Sequence, residues 1–302
     1  MTTLAQLKKS NSNFDRLNAE LEKIKTKPKF EKKVDERFYS VELDEAGNGF
    51  AELRFLPASP QDEENSLPWV STYTHGFPGP KGKKGPWYIE NSLSTLGKDH
   101  KDPVGEYNSK LWKTEKKVHR DYVSQVTKRR LNYFTNVLVV NDPKNPQNNG
   151  KVFIFKIGKM IFEFLNEAMH PTLPGEVPYN PFDLWNGANL KLSITRVGGF
   201  ANYDKSKLGA QGPVAKSDAE IEAIWNKTYS LKEFVAPDQF KTYDELKKKL
   251  DDVLGFDTAK WEDGVVAAPV AAVNTNTKPS SDIEEIVIED EDDDMSRFSK
   301  LT

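Results

Sequence analysis

Three adjacent cations, Lys128, Arg129 and Arg130, lead directly into Tyr133 and Phe134 at the head of a β-forming run from Asn132 to Val140. Fixed positive charge beside flat apolar rings on a rigid element suits a single nucleic-acid strand. Phosphates need cations along the path of the backbone, and unpaired bases stack on aromatics whatever their sequence, each stack contributing roughly 1–3 kcal/mol. Taken alone, the same residues also describe a solvated basic turn before a core strand.

Alternation along the strand sends Tyr133, Thr135, Val137 and Val139 one way and Asn132, Phe134, Asn136, Leu138 and Val140 the other. One of Tyr133 and Phe134 is therefore expected to face a groove and the other the core. Phe153 and Phe155 share a face of the next strand, with Lys156 on the reverse. Gly198-Gly199-Phe200-Ala201-Asn202-Tyr203 follows a closing strand, and its glycines free the backbone to present two rings. Each ring taken singly also reads as core. Several of them beside cations favour a stacking surface.

Catalytic chemistry finds little support, and no catalytic residue is assigned. There is no paired-carboxylate motif and no Ser/His/Asp order with supporting glycines, and Glu90, Asp99 and Asp102 stand singly among lysines. The glycine-rich stretch Pro78 to Pro86 lacks the Gly-Lys-Ser/Thr ending of a phosphate loop, and its prolines remove donor amides. Without any cysteine there is no disulfide framework, thiolate metal site or thiol nucleophile. A metal-dependent nuclease is the rival among enzymes. A recombination-mediator or adaptor protein that only touches a DNA-binding partner is the rival among interaction proteins.

The net charge of −3 hides a separation. Residues 280–302 carry nine acids and two bases, for −7, which leaves +4 on residues 1–279. Within the latter, residues 75–160 hold 17 Lys/Arg against 7 Asp/Glu. A basic middle and an acidic tail point to a polyanion partner and a tail that mimics it. Ile283, Ile286, Val287 and Ile288 add a short apolar anchor to that tail. No run approaches a membrane span, and the N-terminus has no signal-peptide core, so cytoplasm is the expected location and no membrane partner is expected.

These residues must be held by elements that the pattern also predicts. Apolar residues from Leu4 to Ile24 recur at the spacing of one helix face, too short to bury itself without a partner, and Pro28 ends it. Arg37 to Leu43 and Phe50 to Leu56, joined by a turn containing Asn48-Gly49, read as a hairpin. Strands are predicted at Trp69 to Phe77, Trp87 to Glu90, Leu131 to Val140, Lys151 to Gly158 and Ala188 to Val197. Helices are predicted at Val104 to Arg120, Lys159 to Met169, Asp218 to Phe234 and Tyr243 to Leu254. The fold expected is mainly β with inserted and C-terminal helices, an α+β arrangement built on a partly open five-stranded Greek-key barrel. The domains expected are an N-terminal arm at 1–30, a core at 31–254 with an inserted subdomain at about 69–126, and a flexible linker with acidic tail at 255–302.

The order of the Asn-Gly turn, Leu53-Arg54-Phe55-Leu56-Pro57, His75-Gly76-Phe77, Trp87-Tyr88-Ile89-Glu90, Lys128-Arg129-Arg130, Asn136-Val137-Leu138-Val139-Val140, Asp142-Pro143, Gly150-Lys151-Val152-Phe153, Gly187-Ala188-Asn189 and Gly199-Phe200-Ala201-Asn202-Tyr203-Asp204 resembles the helix-destabilising single-stranded DNA-binding proteins of T-even-type bacteriophages. The resemblance implies an OB-type barrel with an inserted subdomain, cooperative binding along single strands, and roles in phage DNA replication, recombination and repair inside the bacterial host. On matching positions it implies Arg54, Lys128, Arg129 and Arg130 for phosphates. It implies Tyr107, Tyr122, Tyr133, Phe134, Phe155, Phe200 and Tyr203 for base stacking or cleft walls, with Phe155 standing where the family usually has tyrosine. Lys8, Lys9 and Ser10 resemble the family's basic arm for protomer contact. The tail with Asp290, Glu291, Asp292, Asp293 and Asp294 is expected to dock replication and recombination proteins.

The family also implies Zn²⁺ held by one His and three Cys in the inserted subdomain. Here only His75 is retained, with Ser92 and the Asp102/Gly105 pair at thiolate positions. Serine and glycine side chains do not replace thiolates in a closed tetrahedral site, and His75, His100, His119 and Asp102 have irregular spacing for a substitute set. The expectation is no metal and no cofactor, with apolar packing by Leu93, Leu96, Val104 and Leu111 in its place.

Overall fold

A computed structural model describes residues 35–260. The chain separates into two units, Met1–Glu36 and Arg37–Thr302, and every described strand and helix lies in the second. The predicted N-terminal helix with Lys8, Lys9 and Ser10 lies outside the described residues, as do residues 261–302 with the acidic tail.

Eight strands are present among the described residues: β1 (Gly49–Phe55), β2 (Trp69–Pro78), β3 (Trp87–Asn91), β4 (Arg130–Asn141), β5 (Val152–Ile157), β6 (Ala188–Val197), β7 (Phe200–Asn202) and β8 (Lys207–Gln211). They are joined by helices α1 (Pro103–Lys113), α2 (Lys117–Tyr122), α3 (Lys159–Met169), α4 (Asp218–Trp225) and α5 (Tyr243–Leu254). Every pairing among these strands is antiparallel, so the molecule is mainly antiparallel β with several helices. Among the described residues no helix is long and apolar enough to cross a membrane.

β4 is the spine. Its first half pairs with β2, from Arg130 opposite Thr74 to Thr135 opposite Trp69, and its second half pairs with β1 along the same edge. β5 takes the opposite edge, and β6 lies beyond β1. Residues directly opposite in register share a face. Leu53, Val139 and Leu190, then Phe55, Val137 and Phe153, therefore line one side, and this face forms the main core with Ile157, Ile161, Leu165 and Phe182.

A second core forms a lobe of its own, built from the ends of β2 and β3 with α1, α2 and α5. Phe77, Tyr88, Leu93, Val104, Tyr107, Leu111, Tyr122 and Val123 pack against Leu246, Leu250, Val253 and Leu254 of α5. The expected apolar packing of Leu93, Val104 and Leu111 is present, with Leu96 against its edge. α5 starts at Thr242 with a capping box to Glu245 and ends at Gly255 in the left-handed region, φ 81°, so its length is set by local sequence. Its leucine stripe docks on the lobe because Gly79 has no side chain: a Cβ there would sit 2.2 Å from the Val253 carbonyl oxygen. Glu90 of β3, bridged to Lys241 just ahead of α5 and to Lys249 within it, ties the helix to the same lobe.

Three predicted elements differ. The hairpin arm at 37–43 does not pair with β1; the turn closes through Asp44 and Asn48, but the arm crosses to β5, where Phe38 forms a single parallel bridge to Ile154. β1 has both edges taken by β4 and β6, which leaves no room for a local partner. The helix at 104–120 breaks at Glu115, φ 58°, and restarts as α2, which lets His119 and Tyr122 reach the core that α1 already faces. The helix at 218–234 stops at Trp225, because Trp225 Nε1 donates to the Ala58 carbonyl at 2.8 Å and Tyr229 is bonded to Asn136. β7 and β8 go beyond the strands that the pattern predicts; both are short and pair only with β6.

Candidate nucleic-acid interface

The cationic triplet enters β4 where the main sheet meets the second lobe. The Arg129 guanidinium lies 4.2 Å from the centroid of the Tyr73 ring and donates from Nη1 to Ser94 Oγ at 3.2 Å. A guanidinium over a ring face is attracted by the ring's quadrupole and keeps its outer edge for other acceptors. Tyr73 stands on β2 opposite Leu131, and its backbone is fastened to the lobe by Thr95 Oγ1 at 2.8 Å and by the Ser92 amide at 2.8 Å. Nothing in the local sequence marks Tyr73 or Ser94 as part of a site. Tyr73 is 56 positions from Arg129, and only the β2–β4 register brings them together.

Strand parity divides the remaining groups. Arg130, Asn132 and Phe134 share a face with Lys156, which is exposed and directly opposite Phe134. Phe134 stacks on Phe234 at 4.7 Å with planes 10° apart, and Phe38 meets both rings edge-on. Tyr133 takes the other face and stacks on Phe162 at 3.9 Å with planes 2° apart, at the margin of the main core. Both rings are half-buried. Phe200 stands out from the hairpin after Gly198-Gly199 and is 39% exposed.

Five predicted contact residues are buried. Arg54 is 2% exposed, and its Nη2 donates to the carbonyls of Asp183 and Gly212, each at 2.8 Å. It passes so close to Gly187 that a Cβ there would lie 2.9 Å from Nη2. Such a guanidinium fastens loops and has no open face for a phosphate. Tyr107 and Tyr122 belong to the lobe core, and Phe155 and Tyr203 to the main core. Burial raises the phenol pKa of Tyr107, Tyr122 and Tyr203, to about 12 for the latter two. These rings support the surface from beneath. The resemblance that groups them with the exposed rings matches residue types by position, and position alone does not report burial.

His75, Ser92, Asp102 and Gly105 do converge. Asp102 Oδ2 accepts from Ser92 Oγ at 2.8 Å and from the Leu93 amide at 3.1 Å, while Oδ1 accepts from the Gly105 amide at 2.9 Å and faces His75 Nε2 at 3.3 Å. His75 Nδ1 meets the Thr127 carbonyl at 3.1 Å. Burial alone raises the Asp102 pKa, but His75, the Gly105 amide and Ser92 outweigh it and hold the carboxyl at about 2. This donor set does not fit a tetrahedral zinc centre: it offers no thiolate, both imidazole nitrogens face oxygen acceptors, and the carboxylate is engaged by four donors. No group of three or more His, Cys, Asp or Glu suited to a metal ion occurs among the described residues.

The model of the family described as gp32 DNA binding protein like matches residues 47–254. The chain is 36% identical over 275 residues to the single-stranded DNA-binding protein of Enterobacteria phage T2, covering 88% of this chain and 85% of that one. Identity to the protein of the same description from Enterobacteria phage T4 is 35% over 275 residues, with the same coverage. A protein of that description from Enterobacteria phage RB70 is 39% identical over 102 residues, 33% of this chain and 77% of its own.

Proposed function

The chain belongs to the gp32 DNA binding protein like family, and from that premise we propose that it binds single-stranded DNA largely without sequence preference during phage DNA replication, recombination and repair in the cytoplasm of the bacterial host. The observation that carries the reading is Arg129 held over Tyr73 at the start of β4, on the side of the strand that carries Leu131 and Tyr133, with Arg130, Phe134 and Lys156 on the other side of the same strand. Charge for phosphates and rings for bases lie within one strand's length of each other. On this reading Lys128, Arg129, Arg130 and Lys156 neutralise phosphates, and Phe134, Tyr133 and Phe200 offer ring surface. Arg54, Tyr107, Tyr122, Phe155 and Tyr203 hold the scaffold.

We read the main sheet as an OB-type barrel with residues 69–126 as its inserted subdomain, folded without zinc. Residues 1–30, with Lys8, Lys9 and Ser10, serve protomer contact along the strand. The acidic tail after the linker competes for the cationic surface when DNA is absent and docks replication and recombination proteins.

Titration of tryptophan fluorescence with oligo-dT and with a matched duplex, at several salt concentrations, tests the proposal. Preferential single-strand binding with an affinity that falls steeply with salt is expected, since about 0.7 counterions are released per neutralised phosphate. Equal affinity for duplex and single strand at matched salt sinks it. Cleavage products in the presence of Mg²⁺ would instead favour a nuclease, and binding only through a second protein would favour an adaptor.

A further inference from the structure

The polar network beneath the lobe extends past His75, Ser92, Asp102 and Gly105. Ser92 gives its hydroxyl proton to Asp102, so at the 2.9 Å contact between Ser92 Oγ and Ser94 Oγ the proton comes from Ser94. Ser94 Oγ in turn accepts from Arg129 Nη1 at 3.2 Å. The donors thus run one way, guanidinium to Ser94, Ser94 to Ser92, Ser92 to the Asp102 carboxylate. A positive group stands at one end of the chain and a negative group at the other, the order in which successive hydrogen bonds polarise one another.

A second path leaves the same carboxylate. His75 stands between Asp102 and the carbonyl of Thr127, the residue before Lys128, with the ring's tautomer deciding which of the two it donates to, and Asn108 Nδ2 donates to that carbonyl at 3.0 Å. Thr127 is fully buried, and its hydroxyl donates to Asn108 Oδ1 at 2.6 Å. The serine path thus links Asp102 to the side chain of Arg129, while its imidazole partner packs against the backbone that launches the triplet. It also caps α1 through the Gly105 amide, which fixes its own position against a helix end.

We propose that Asp102 is a positioning residue for DNA binding, holding Arg129 in its orientation over Tyr73 through Ser92 and Ser94. Arg129 needs such a tether: a long cationic side chain left to itself samples many rotamers, and ordering it on binding costs affinity. The inference rests on the single-strand reading, and its test separates the two.

Oligo-dT affinity, its salt slope and the melting temperature are to be measured for Arg129→Ala, Asp102→Asn, Ser94→Ala and the double variants that pair Arg129→Ala with each of the others. Arg129→Ala is expected to weaken binding and lower the slope by about 0.7. Asp102→Asn should weaken binding roughly fivefold, about the net contribution of one ordinary hydrogen bond, and weaken it no further when Arg129 is already alanine. Ser94→Ala removes one half-buried hydroxyl at the end of the chain and should show the same non-additivity even if Asp102→Asn fails to fold. Losses that add to that of Arg129→Ala, or a Ser94→Ala protein with unchanged affinity and slope, overturn the inference. An Arg129→Ala protein that binds as the parent does overturns the role given to Arg129, and with it the reason for a tether.

Discussion

The side-chain amide of Asn136 brackets the backbone of Tyr229, donating from Nδ2 to its carbonyl at 2.9 Å and accepting at Oδ1 from its amide at 3.0 Å. Asn136 is 1% exposed, so this two-way bond substitutes for a strand partner where β4 turns its face to an irregular segment. That segment leads to Phe234, the ring stacked on Phe134. Replacing Asn136 by alanine leaves two backbone groups unmatched and should cost roughly 2–4 kcal/mol, read as a lower urea midpoint with an unchanged m-value. Binding by the folded fraction should also weaken, because Phe134 loses the support of Phe234.

Arg54 carries a prediction opposite to that for Arg129. Its guanidinium closes the carbonyls of Asp183 and Gly212, so Arg54→Ala should lower stability by roughly 3 kcal/mol while the folded protein keeps its salt slope. Lysine should not restore stability, since one ammonium does not reproduce the planar fork. A slope reduced to the Arg129→Ala value in a protein of parental stability would return Arg54 to the phosphate path.

Asp102 predicts an acid limb. Its carboxyl titrates at about 2 in the folded protein against 3.8 in the free residue. A depressed carboxyl contributes stability that is complete above the unfolded value and is lost as pH falls through the folded one. The window is therefore about pH 4 down to pH 2, and the contribution is roughly 2 kcal/mol. Melting curves across that range should fall for the parent, and Asp102→Asn, lower at pH 7, should show a shallower decline.

Deleting residues 280–302 removes a net −7 from the chain. If the tail competes for the cationic surface, the truncated protein should associate faster with oligo-dT and gain most affinity at low salt, where screening is least. Stopped-flow traces at low and high salt measure both. Unchanged rate and affinity at low salt would leave only the docking role for the tail.

Much of the sheet is legible in the sequence because β4, β5 and β6 announce themselves by alternation, and α5 by its helical spacing of apolar residues. Pairing between distant segments is not. Nothing near Arg37 to Leu43 says that its neighbour is Ile154, and the Asn-Gly turn argues for a local hairpin that the crowding of β1 forbids. The site divides along the same line. The triplet and Phe134 can be singled out from adjacent residues, whereas Tyr73, Ser94 and Phe234 enter only through the fold. Arg54 and the buried tyrosines fall in with the binding residues because the family resemblance matches them by position, which does not report burial.

The docking of α5 on the second lobe also sets a timetable. One wall of the lobe's core, Leu246 to Leu254, is made last among its parts, and Leu246 follows Val123 by 123 residues. At roughly 5–20 residues per second a ribosome needs on the order of 6–25 s to cover that distance. Throughout that interval Phe77, Tyr88, Tyr107 and Leu111 have no α5 to cover them. The nascent chain therefore carries an open apolar face on the lobe until α5 emerges, a period in which a chaperone has something to hold and the completed chain does not.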